Sequence, residues 1–296
     1  MRSLALHQIT APGTDAFELI DIAAQVGCKG VCVFVHEPAK SISIPGGPRR
    51  RFPVIPDQAL LAVRTRLRDR DQHIVNIEFF PIGATTNIDS YLPALALGAA
   101  LGARRAVTHV HDTDERRALD NLGRLADLTA SVGLDLGLEF MKMSRGCVSL
   151  GAALHMVETI NRKNLAIAVD ALHLVRSGGT PEDLARVPPG RLAYAQVCDG
   201  RGLAPADSYM PEAMNRLIPG QGDFPLQQFL RSLPVDLDLD VEVPSTRLQE
   251  LGLTPLEHAK RAVCASLLLL PGSQSGGVGP AGEINQVTEG IGRWDH

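Results

Sequence analysis

Aromatic side chains are scarce: 4% of the chain, with one tryptophan and three tyrosines. No stacking platform can therefore be read from composition, and the substrate's chemistry must be sought elsewhere. A basic excess is also missing. The net charge of -4 and a pI of about 6.1 argue against a general nucleic-acid binder. The run "GGPRRRF", through Arg49 to Arg51, is too short to alter that and reads as a solvated loop. No apolar stretch approaches the ~18 residues of a membrane span. The opening "MRSLALHQIT" turns polar too early for a secretory signal. Five cysteines (28, 32, 147, 198 and 264) form an odd set with no CxxC pair, which fits reduced thiols in a cytoplasm better than a disulfide framework. Cys28 and Cys32 have no second pair to complete a zinc site. Nucleophile elbow, Walker loop, HExxH and kinase signatures are all missing.

What is present is ample core material, 45% hydrophobic residues over 296 positions, arranged as alternating short apolar runs and amphipathic stretches. Candidate strands are 3–9, 30–36, 73–80, 105–111, 134–140, 165–170, 192–197 and 237–243. Between them lie helical patterns, one capped by Thr14 and ended by Gly27, others opening on Thr180-Pro181 and Thr254-Pro255. Eight such units predict an α/β fold of the (β/α)8 TIM barrel type, for which ~250 residues is typical. Strands apolar almost throughout suit a sheet covered by helices. A doubly wound sheet is the rival, but "TAPGTD" after the first strand lacks GxGxxG. The barrel is expected over residues 1–271 and an irregular Gly-rich tail over 272–296, with Trp294 as an anchor for a partner subunit or as part of a disordered end. The segment Glu37 to Pro56 carries five prolines and follows the second strand, a place for a lid.

In a barrel the reactive mouth is built from the C-terminal ends of the strands. Those ends carry His7, His36, Glu78, His109 with His111, Glu139, Asp170, Gln196 and Glu242. The last four are all oxygen donors and suit one hard divalent cation, Mn2+, Mg2+ or Co2+. Three neighbouring carboxylates also need such an ion, because they would otherwise raise one another's pKa. The competing reading has these acids capping helices or pairing with Arg145 and Arg247. His173, just beyond Asp170, is a substrate ligand or acid/base group, or else a helix-start histidine bonded to backbone. Asp199 and Arg201 in "QVCDGRG" follow Gln196, placing Arg201 to clamp an anionic or hydroxyl-rich substrate. His7, Glu78 and His109 are further substrate contacts. "RLIPGQGDFPL" is a binding loop or a stiff connector, and Lys142 and Arg145 belong to the site or to the surface.

These residues resemble the xylose-isomerase-like TIM barrels, a superfamily of sugar-phosphate isomerases and epimerases, inosose and 3-dehydroshikimate dehydratases, and endonuclease IV. The resemblance runs over about residues 3–270 and rests on "LGLEF", "AVDALH", "YAQVCDG", "PGQGDFPL" and "DVEVPS". It implies that Glu139, Asp170, Gln196 and Glu242 hold one metal ion and that His173 contacts substrate. Gln196 departs from the "HxKD" pattern of sugar epimerases and occurs in other branches, dehydroshikimate dehydratases among them. Endonuclease IV needs more histidines and a basic groove. The resemblance implies a small polyhydroxylated carbonyl substrate and a homodimer or homotetramer, while the charge and the missing apolar run give no nucleic acid or membrane partner. The leading expectation is an isomerase or epimerase in which Glu139 and Glu242 move a proton next to a metal-polarised carbonyl. The alternatives are a dehydratase, with His173 as acid, a non-catalytic polyol-binding barrel, and a metal-dependent hydrolase.

Overall fold

The computed structural model describes residues 3–37, 52–188 and 190–270. Eight parallel strands follow in chain order: β1 (Leu4–His7), β2 (Gly30–Phe34), β3 (His73–Glu78), β4 (Arg105–Thr108), β5 (Asp135–Glu139), β6 (Leu165–Asp170), β7 (Leu192–Val197) and β8 (Leu239–Val241). β8 pairs back onto β1, so the sheet closes into a barrel with helices around it. The expected fold class is the observed one. Most expected strands overrun at their ends: 73–80 stops at Glu78 and 105–111 at Thr108. The tail 272–296, Trp294, and positions 38–51 of the Pro-rich segment lie outside the described residues. Among the described residues, no helix is long and apolar enough to cross a membrane. The five cysteines are free, and only Cys264 is exposed.

Several of the outer helices begin where side chains satisfy their first N–H groups. Asp15, not Thr14, caps helix Ala16–Gln25 in a capping box with Glu18. Thr14 instead turns its hydroxyl to the Ala11 carbonyl, 2.6 Å away. Gly27 ends that helix at φ +84°, a conformation costly for any residue with a Cβ. Thr254 and Glu257 form the same box at the start of helix Pro255–Leu269.

The barrel interior is unusual in being polar. Asn76 on β3 donates to Asp240 on β8 at 2.5 Å, and Arg105 on β4 donates to Asn76 at 3.0 Å and to Asp238 at 2.6 Å. Asn76 and Arg105 stand side by side on neighbouring strands, whereas their bonds to Asp240 and Asp238 cross the lumen. Arg105 also lies over the Tyr194 ring, 5.3 Å from its centroid. Where branched aliphatics commonly fill such a barrel, a hydrogen-bonded layer forms the floor beneath the mouth.

Candidate metal centre and active site

Each donor of the second half reaches the mouth from a strand end. Glu139 closes β5 and Asp170 closes β6, and Gln196 stands on β7 level with Asp170. Glu242 follows β8, held by Thr10, whose hydroxyl donates to Val241 O and accepts from Val243 N, both at 2.8 Å. Ligating oxygens of Glu139, Asp170 and Glu242 all lie within 4.8 Å of one another, and all three residues are buried. The Gln196 amide donates to Glu242 Oε2, which leaves Gln196 Oε1 buried without a hydrogen-bond partner. A buried orphan oxygen beside three carboxylates is what a cation ligand looks like before the ion arrives.

The acids do not pair with Arg145 or Arg247. Their counter-charge is Arg216, which sequence reasoning missed. It is 5% exposed and donates to Asp170 Oδ2 at 2.5 Å and to Glu242 Oε1 at 2.8 Å. Three ionised carboxylates against one guanidinium leave two negative charges, a deficit that a divalent cation cancels. Electrostatics agree. Burial, then the Asp170 and Glu78 charges, push Glu139 well above the usual carboxylate range. Burial lifts Glu242 to about 7 despite Arg216. Burial would raise Asp170 too, but Arg216 and His173 outweigh it and hold that carboxyl low.

Asp170 also caps helix Ala171–Arg176, its Oδ1 accepting from His173 N at 3.0 Å. That cap explains the spacing of Asp170 and His173: one residue is both a strand-end donor and the start of the helix that aims the histidine. His173 Nε2 lies 3.5 Å from Glu139 Oε1, and His109 Nε2 lies 2.7 Å from Glu139 Oε2. Burial first, with Arg216 nearby, lowers His173 to about 3, so its ring is neutral.

The first-half residues form a second cluster. Glu78 Oε1 is 3.2 Å from Cys32 Sγ and 3.5 Å from His7 Nε2. These are also ligand types for a metal, but the Ile9 N–H donates to His7 Nδ1 at 3.2 Å. That bond places the ring proton on Nε2, where it meets Glu78 rather than an ion. The cluster is satisfied internally.

Other expected residues sit apart. His36 lies beyond β2, its ring against Phe80 and Tyr91, with centroids 4.6 and 5.3 Å away. Lys142 pairs with Asp207 at 2.7 Å, and Arg201 is exposed. Asp199 is buried, and its carboxylate accepts N–H groups from Gly200, Gly220, Gly222 and Phe224 at 2.8–3.1 Å. It therefore staples the "PGQGDF" loop. A Cβ on Gly222 would stand 2.4 Å from Asp199 Oδ1, so only glycine fits there. The Asp199–Leu217 bridge of that loop carries the preceding Arg216 to the acids. The buried acids called for such a cation, but nothing in "NRLIPGQG" marked which arginine supplies it. Tyr209, whose hydroxyl is 2.9 Å from His173 Nδ1, had no sequence signal at all.

A family model described as xylose isomerase-like TIM barrel matches residues 20–291. The chain belongs to that family. Among solved structures, the IolI protein with a binding zinc atom superposes with a TM-score of 0.73 at 16% identity, covering 91% of this chain and 98% of that one. A D-psicose 3-epimerase with D-fructose gives 0.68 at 14% identity, over 90% and 98%. A fusion of a xylose isomerase-like TIM barrel with 4-hydroxyphenylpyruvate dioxygenase gives 0.71 at 18%, over 90% of this chain and 42% of that one. At these identities the likeness is one of fold. A curated relative, 3-dehydroshikimate dehydratase of Pseudomonas aeruginosa, is 31% identical over 111 residues, 38% of this chain and 17% of that protein. The matched part is thus a small fraction of the relative's length.

Proposed function

We propose that this member of the family is a divalent-metal-dependent lyase that removes water from a β-hydroxy carbonyl compound of the 3-dehydroshikimate kind. The observation that carries the reading is the asymmetry of the two glutamates. Glu242 has one oxygen on Arg216 and the other on Gln196, whereas Glu139 faces two histidines. Epimerisation through two opposed acid/base groups asks both glutamates to trade protons. Dehydration asks for a base and an acid, and both stand on the Glu139 side. Gln196 in the donor set and the partial match to a dehydroshikimate dehydratase support the same choice.

Glu139, Asp170, Gln196 through Oε1, and Glu242 would hold the cation, which when bound supplies Lewis-acid polarisation of the substrate carbonyl. Glu139 takes the proton from the carbon next to that carbonyl, oriented by His109. The freed electron pair forms the new C=C bond as the C–O bond to the β-hydroxyl breaks. His173 Nε2–H hydrogen-bonds that hydroxyl, the proton taken up by Glu139 passes to it, and it leaves as water. Arg216 keeps Asp170 ionised and holds Glu242 in place, and burial excludes bulk water from the reacting carbon.

The test is to incubate the protein and Mg2+, Mn2+ or Zn2+ with 3-dehydroshikimate and follow ultraviolet absorbance. A conjugated product that appears with wild type and not with Glu139→Gln, at equal metal content, supports the lyase. The second reading, an isomerase or epimerase, rests on the shared donor geometry. It would show as solvent-deuterium exchange into a ketose with no new chromophore.

A further inference from the structure

We propose that Tyr209 is a positioning residue that fixes His173 in the tautomer with its proton on Nε2, presenting an N–H donor to the reacting side of the site. The inference rests on the lyase reading for its catalytic consequence, but not for the tautomer itself. Tyr209 is buried at the start of helix Met210–Ala213, and its hydroxyl lies 2.9 Å from His173 Nδ1. The rings stand 5.6 Å apart at 51°, so contact is made through the hydroxyl and not by stacking.

A hydroxyl has one proton and two lone pairs. The buried hydroxyl's proton needs an acceptor, because a buried unsatisfied donor costs about 1–3 kcal/mol. Among the described residues the acceptor bonded to it is His173 Nδ1. Were Nδ1 protonated, Tyr209 would accept from it and its own proton would be stranded. Nδ1 is therefore bare and Nε2 carries the hydrogen. That hydrogen faces Glu139 Oε1, 3.5 Å away, a gap loose enough to be redirected to a substrate hydroxyl. The direction runs one way, from Tyr209 to His173 and from His173 to Glu139, whose other oxygen lies 2.7 Å from His109 Nε2. Every proton in the array points at Glu139, which is what a base in its anionic form requires. The neutral imidazole then acts as a hydrogen-bond donor to the departing oxygen, and the opposite tautomer would offer that oxygen only a lone pair.

The experiment uses the full chain loaded with Mg2+ and labelled with 15N-histidine. Long-range 1H–15N correlation spectra should show His173 with Nε2 protonated and Nδ1 bare. Tyr209→Phe keeps the ring and removes the hydroxyl. It should shift His173 toward the Nδ1-protonated form and lower kcat about tenfold or more, while KM and bound Mg2+ stay within about twofold. A purely structural role would instead lower metal content or melting temperature. Wild-type His173 protonated on Nδ1, or an unchanged tautomer in Tyr209→Phe, overturns the proposal. The spectrum alone decides the tautomer even if the variant folds poorly. Absence of dehydration with the tautomer as stated sinks the lyase reading and leaves this assignment standing.

Discussion

The two halves of the barrel mouth are built from equivalent strand ends and yet differ in kind. The β5–β8 half presents Glu139, Asp170, Gln196 and Glu242 around Arg216, an array with an orphan oxygen and two surplus negative charges. The β1–β4 half presents imidazole and aromatic surfaces. Phe34 stacks on Phe52 at 4.4 Å, and Phe79 lies over His109 at 4.9 Å and 18°. Its own acid, Glu78, is quenched by His7 and Cys32. One half carries the donor set that a divalent cation would take, and the other carries flat, half-apolar rings. For the proposed lyase, this contrast suits a planar carbonyl compound held between the donors and the rings better than an open-chain polyol.

That contrast can be broken in several ways. The largest effect is expected at Glu139. Glu139→Gln should lower turnover by about 10²–10⁴-fold with the fold intact by circular dichroism, whereas Glu78→Gln, across the mouth, should leave a measurable rate. Next comes Arg216→Met, which strands two buried carboxylates and should cost about 3–5 kcal/mol in denaturant unfolding. Added metal should restore part of that loss, since the ion replaces the missing charge.

A smaller and pH-dependent effect follows from the raised carboxyls. Glu242 moves from 4.5 to about 7 on folding, and Glu139 shifts the same way. A carboxyl raised by folding favours the folded state below its unfolded value and loses that contribution as pH rises through the folded one. The metal-free chain should therefore lose stability between about pH 4.5 and 7, by roughly 3 kcal/mol from a shift of that size. The gap in melting temperature between metal-loaded and metal-free protein should widen over the same interval; a gap independent of pH would contradict the assignment. The smallest effect is expected in the aromatic half. Phe79→Leu removes the ring over His109 and should raise KM by about three- to tenfold, with kcat little changed, in line with about 0.5–1.5 kcal/mol for an aromatic pair.

Much of the charged half was legible in the sequence, because buried parallel strands are apolar and a terminal acid stands out against them. Asp170 at the end of "LAIAVD" and Glu139 in "LGLEF" are such cases. The aromatic half was not, since 4% aromatics overall conceals a local gathering of Phe34, Phe52 and Phe79. His36 misled for a related reason: β2 stops at Phe34, and two residues later the chain has turned out of the barrel. Alternation along β2 from Gly30 would have selected Cys32 for the interior instead. Arg216 and Tyr209 lie on loops, where no period announces which way a side chain points. Asp199 was visible as an acid beyond a strand, but four backbone N–H groups consume its acceptors.

The most direct test is metal stoichiometry in the intact chain and two sets of variants, by equilibrium dialysis with elemental analysis. The prediction is one divalent ion per chain, lost in Asp170→Asn and Glu242→Gln and retained in Cys32→Ser and His7→Gln. An ion that survives the first pair of substitutions and disappears with the second would place it in the wrong half of the mouth.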